Sequence, residues 1–95
     1  MKSWGWKPEK NEKLKEMGRP CFEDVLEALE SGGFRDVLTN PNYPDQKILI
    51  VAIDDYAHVV PFKETEDFFF LFTVYPSRAF QKRYGGEKWK RKNPS

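Results

Sequence analysis

The sequence predicts an α+β fold, with two N-terminal helices packed on an antiparallel sheet of three or four strands and a short C-terminal helix closing it. Three observations carry this expectation. Apolar residues at 22, 25, 26 and 29 follow the i, i+3, i+4, i+7 spacing of a helix face. β-branched and aromatic runs fill 47–53, 56–62 and 68–76, and turn residues separate them. Helices grouped ahead of a meander of strands indicate an α+β domain with the helices on one sheet face.

Pro8 and the EKNEKLKEMG that follows read as a short charged helix, with Pro near its first position and Gly18 as its stop. Its apolar face, Leu14 and Met17, is thin, which places it on the surface with Trp4 and Trp6 as anchors. Phe22, Val25, Leu26 and Leu29 belong to a second helix that SGG at 31–33 ends. Cys21, at its start, reads as a small core residue and not as a reactive thiol. FRDVLT is a strand, and NPNYPDQ after it is a loop.

KILIVAI is a strand of buried type, which Asp54 and Asp55 turn back into YAHVVPF to make a hairpin. Asp-Asp is a weaker turn pair than Asp-Gly, because the second central residue prefers a positive φ. Pro61 implies that its strand ends, bulges or lies at an edge there. KETED is a turn, FFFLFTVYP is one last strand, and Ser77 caps a helix beginning near Arg78. Phe68, Phe69 and Phe70 alternate faces, so one of them looks away from the core and leaves room for a partner contact. Tyr43, Tyr56 and Tyr75 read as core or sheet-face packing and not as base-stacking platforms.

Ninety-five residues make one domain, drawn here at 1–85, with a basic and flexible tail at 86–95. No apolar run is long enough to cross a bilayer, and the N-terminus lacks the apolar stretch of a secretory signal. One cysteine forms no intrachain disulfide, which fits a reducing cytoplasm. The net charge of +1 hides an asymmetry: residues from 78 onward carry +6 and residues 1–77 carry −5. A basic end of that kind suits nucleic acid, an anionic membrane or an acidic protein, and it also suits a merely solubilising tail.

Several chemistries find no support in the sequence. One histidine and one cysteine far apart make no zinc pattern, and no Gly-rich phosphate loop is present. The acidic pairs at 54–55 and 64–67 fall in turns, and Ser77 does not sit in a nucleophile elbow. What remains is TVYPSRAFQKRY at 73–84, together with His58. An arginine at the end of the last strand presents a planar fork to a phosphate. A nearby tyrosine or histidine moves a proton. RNA cleavage of the metal-free type, in which the ribose 2′-hydroxyl attacks its own phosphate, requires cations and proton carriers of this kind, with neither metal nor cofactor. The same residues also make an ordinary solvated helix face.

WGWKPEKNEKLKEMG followed by PCFEDVLEALESGG resembles the start of BrnT-type toxins, which carry a tryptophan before a Pro-x-Lys-x-Asn helix and then a SFEEA-like helix. DVLTNPNYPDQKILIVAIDDYAHVVPF is similar to the sheet of that group, and TVYPSRAFQKRY to its closing strand and helix. The resemblance covers residues 4–84. It implies a RelE/ParE-like toxin of a type II toxin–antitoxin pair: a cytoplasmic, metal-independent ribonuclease that inhibits translation by acting on messenger RNA. It also implies a small antitoxin partner that binds DNA, of ribbon-helix-helix type. Arg78 stands where the family's Ser-Arg places the arginine at the scissile phosphate. Lys82, Arg83 and Tyr84 stand in its basic terminal helix, where Lys82 and Arg83 would hold flanking phosphates. Tyr84 would serve as proton carrier, and His58, on its strand, is an alternative carrier proposed from its own position. The tail KWKRKNPS has no counterpart in the family. A non-catalytic RNA- or protein-binding module, or an inactive toxin relative, accounts for the same basic end.

Overall fold

Two hydrogen bonds made by one buried asparagine set how the N-terminal helices meet. The computed structural model describes residues 2–32 and 35–84. In it, helix α1 (Pro8–Glu16) and helix α2 (Phe22–Glu30) are joined through Asn11, which is itself buried. Asn11 Oδ1 accepts the Phe22 N–H at 2.8 Å, and its amide donates to Glu23 Oε1 at 2.6 Å. Asp24 accepts the Cys21 N–H at 2.9 Å, so two side chains satisfy N–H groups that a helix start leaves open. Gly18, at a φ of 71°, takes the left-handed turn that ends α1, with Arg19 N–H donating to the Leu14 carbonyl at 2.9 Å.

Among the described residues six strands form the sheet: β1 (Ser3–Gly5), β2 (Arg35–Thr39), β3 (Lys47–Ile53), β4 (Tyr56–Glu64), β5 (Phe68–Leu71) and β6 (Tyr75–Pro76). Their order is β1-β5-β4-β3-β2, with β6 pairing β4 beyond the end of β5. All pairings are antiparallel except β1 with β5, which is parallel. The fold is therefore α+β with a mixed sheet, not the purely antiparallel sheet of three or four strands expected. Ser3–Gly5 adds an edge strand beside Phe68–Leu71, and Trp4 packs on Phe69 with ring centroids 4.8 Å apart.

Alternation along β3 and β4 divides the sheet into two faces. Leu49, Val51, Ile53, Val60 and Phe62 face α1 and α2, where they meet Leu14, Phe22 and Val25. Burying Phe22 completely contributes roughly 1.5–3 kcal/mol, and Trp6 stacks over it at 5.3 Å. Ile50, Ala57 and Val59 face the other way, onto Tyr84 and Phe80 of helix α3 (Arg78–Tyr84). The third helix thus lies across the sheet from the first two, which makes three layers where the sequence suggested helices on one face.

Two further expectations are corrected. β4 runs through Pro61 and is paired on both sides. The Pro61 carbonyl accepts the Phe72 N–H at 3.0 Å on the β5 side, and the N–H of a strand residue points the same way as its carbonyl. The missing donor therefore faces the gap between β5 and β6 and costs the β3 ladder nothing. That gap also splits the expected single strand at 68–76 into β5 and β6. The tail at 86–95, the domain boundary at 85 and the start of the second strand at Phe34 lie outside the described residues.

The hairpin turn is as expected: Ile53 pairs Tyr56 across Asp54 and Asp55, which adopt φ values of 54° and 60°. Both positions of such a two-residue turn require the left-handed region, which a Cβ makes costly. Asp55→Gly should therefore stabilise the fold by about 1 kcal/mol, raising the thermal midpoint by roughly 4–8 °C. A calorimetric scan showing an unchanged or lowered midpoint would contradict the strain.

Candidate nucleic-acid interface

Helix α3 is short, and its position is set by side chains that reach back to the sheet. Ser77 Oγ accepts the Phe80 N–H at 3.3 Å, the cap that the sequence leads one to expect. Beyond β6, the edge of β4 at Ala57 is closed by α3 itself. The Ala57 carbonyl accepts the Ser77 N–H at 3.0 Å, and Ala57 N–H donates to Gln81 Oε1 at 2.8 Å. Phe80 and Tyr84, one turn apart and stacked at 6.0 Å, face the sheet. Helical spacing then turns Arg78 and Lys82 to the outer side together, and both are exposed. Arg83 is exposed on the flank, its guanidinium 5.3 Å from the Tyr84 ring centroid. Among the described residues no carboxylate forms an ion pair with Arg78, Lys82 or Arg83. Three cations on one seven-residue helix form a ready contact for successive phosphates.

Tyr84 differs from its basic neighbours. It is 3% exposed, and its hydroxyl donates to Asp36 Oδ2 on β2 at 2.8 Å. Burial holds its pKa above the ordinary value of 10, and the hydrogen bond to Asp36 adds to the effect. A phenol that keeps its proton and gives its hydrogen bond to a carboxylate is an anchor for α3, with no free base to offer a substrate. Asp36 was not singled out in the sequence. Its only signal there is a carboxylate two residues from Leu38, on the same side of an alternating strand.

His58 lies elsewhere. It shares the side of β4 with Val60, which packs under α1 and α2, while Ala57 and Val59 face α3. It is 6% exposed, and its Nδ1 is 2.8 Å from the Tyr56 carbonyl. A carbonyl only accepts, so Nδ1 carries a hydrogen and donates it there. The ring lines a cavity of about 660 Å³ that also has Arg19, Asp24, Glu27 and Asp54 in its wall. Three carboxylates against one guanidinium disfavour a phosphate there. The structure therefore brings Arg78, Lys82 and Arg83 together on α3, and leaves His58 behind the sheet from Tyr84.

Cys21 is buried at the start of α2, and its thiol donates to Asp24 at 3.3 Å. Burial pushes its pKa up, which suppresses the reactive thiolate. Among the described residues no group of three or more His, Cys, Asp or Glu side chains is placed to hold a metal ion, and no helix is long and apolar enough to cross a membrane. Comparison of the chain with protein-family models, with curated proteins and with solved structures gave no match.

Two outcomes are expected from these contacts. Tyr84→Phe removes the hydrogen bond to Asp36 and should cost about 1.5–3 kcal/mol in urea unfolding. Because the folded pKa of Tyr84 is the higher one, its contribution is present below pH 10 and is lost as pH rises beyond it. Wild type should consequently lose stability above pH 10 more steeply than Tyr84→Phe, and matching alkaline limbs would refute this role. Iodoacetamide should label Cys21 slowly in the native protein and rapidly in urea; equal rates would show an accessible thiolate.

Proposed function

We propose that this chain is the toxin of a type II toxin–antitoxin pair, a metal-independent ribonuclease of BrnT type that acts on messenger RNA in the cytoplasm. The observation that carries the reading is the exposed row of Arg78, Lys82 and Arg83, with no carboxylate partner among the described residues and on a helix fastened to the sheet. The resemblance of 73–84 to the family's closing strand and helix supports it. So does the succession of two helices, an antiparallel hairpin and a terminal helix.

In this reading the ribose 2′-oxygen attacks the adjacent phosphorus while the bond to the 5′-oxygen of the next nucleotide breaks, leaving a cyclic phosphate. Arg78 presents its fork to the phosphate oxygens that gain charge. Lys82 and Arg83 hold the flanking phosphates. Tyr84 is committed to Asp36, and His58 lies behind the sheet. The 2′-proton therefore passes to water, and water protonates the leaving oxygen. A small antitoxin that covers α3 would silence the site.

The placement of those two proton carriers favours a second reading, a non-catalytic RNA-binding module that uses the same cations. Here binding would weaken steeply with salt and yield no product.

Purified Arg78→Ala should cleave RNA about 10²–10³-fold more slowly than wild type, with its thermal midpoint unchanged because the side chain is exposed. Induced in a bacterial host, wild type should arrest growth with loss of messenger RNA, and the variant should not. Equal cleavage by both proteins would remove Arg78 from the site. Salt-sensitive RNA binding by wild type without cleavage would select the second reading.

A further inference from the structure

We infer that the cleft beside α3 is a nucleobase pocket, which takes a base of the same single strand whose phosphates α3 holds; this rests on the RNA reading above. The cleft lies on the α3 face between the loop joining β2 to β3, Phe72 and the start of α3, and its volume is about 760 Å³. Small-molecule sites typically span roughly 300–1,000 Å³. Tyr43, Tyr75 and Phe80 supply rings to its wall. Tyr43, in a loop, is 57% exposed and so is neither core nor sheet-face packing, whereas Tyr75, on β6, is 38% exposed at the sheet.

The chemistry of the lining selects the occupant. Among the described residues, none that lines the cleft carries a charge, although cations stand next to it on α3. Asn42 and Gln46 contribute side-chain amides that make no hydrogen bond among the described residues. An amide both donates and accepts, which matches the edge of a nucleobase, and flat rings match its face. Tyr75 lies three residues before Arg78, and Phe80 two after it. A nucleotide has the same division, a charged phosphate joined to a neutral planar base. Stacking on exposed rings beside a basic track is how single strands are held without a duplex.

The test uses fluorescence anisotropy with a 2′-O-methyl RNA octamer, which lacks the attacking hydroxyl and stays intact, and with an abasic octamer of equal phosphate number. Wild type should bind the base-bearing octamer at least about 10-fold more tightly. Tyr43→Ala and Tyr75→Ala should each weaken that binding about 5- to 100-fold and leave the abasic octamer unaffected. Tyr43→Phe should retain the affinity, and Arg78→Ala should weaken both octamers. Equal binding of the two octamers by wild type would overturn the base pocket while leaving phosphate binding by α3 in place. Binding of neither octamer would remove the RNA reading and the pocket together. A proline-rich peptide that binds wild type and is lost in Tyr43→Ala, with RNA binding indifferent to that change, would assign the cleft to a protein ligand instead.

Discussion

The molecule depends on one strand. β4 pairs with β3 along its first seven residues, with β5 at its far end and with β6 near its start. Ala57 on the same strand also receives α3 through Ser77 and Gln81. Every layer therefore takes its position from β4. Its one residue without a donor, Pro61, stands where no donor is wanted, at the interruption between two successive partners. That interruption frees Phe72 to reach the wall of the cleft and lets Tyr75 return to the sheet just before α3.

Because the sheet is covered on both sides, it also partitions the chemistry. The α1 and α2 side holds a cavity edged by carboxylates, in which His58 is packed with one ring nitrogen satisfied. Among the described residues, seven helical ones cover the α3 side, and aromatic surface is left beside them. Phe68 is 49% exposed and Phe70 half-buried there, while Phe69 packs with Trp4 on the other face. The alternation read from the sequence is visible in these three residues.

Local signals were legible in the sequence where they were self-contained. The spacing of Phe22, Val25 and Leu29 announced α2, the two aspartates announced the hairpin, and Ser77 announced the start of α3. Distant partners were not legible. Ser3–Gly5 is too short to show alternation, and its partner, Phe68–Phe70, is remote from it in sequence. Asp36 looked like any polar strand residue until Tyr84 was brought to it. Basic residues on α3 were readable from their spacing, but which face each proton carrier occupied depended on which side of the sheet the last helix crossed. The exposure of Tyr43 was not legible either, because a loop tyrosine carries no periodicity from which exposure is inferred.

The parallel edge pairing has a consequence for biosynthesis. Trp4 is translated well before Phe69, the strand partner on which it packs. At roughly 5–20 residues per second, the N-terminal segment waits on the order of several seconds without its neighbour. During that interval an indole and a short length of unpaired backbone are open to chaperones or to another nascent chain. The strand made first in this sheet is thus sheltered only after β2, β3 and β4 have been translated.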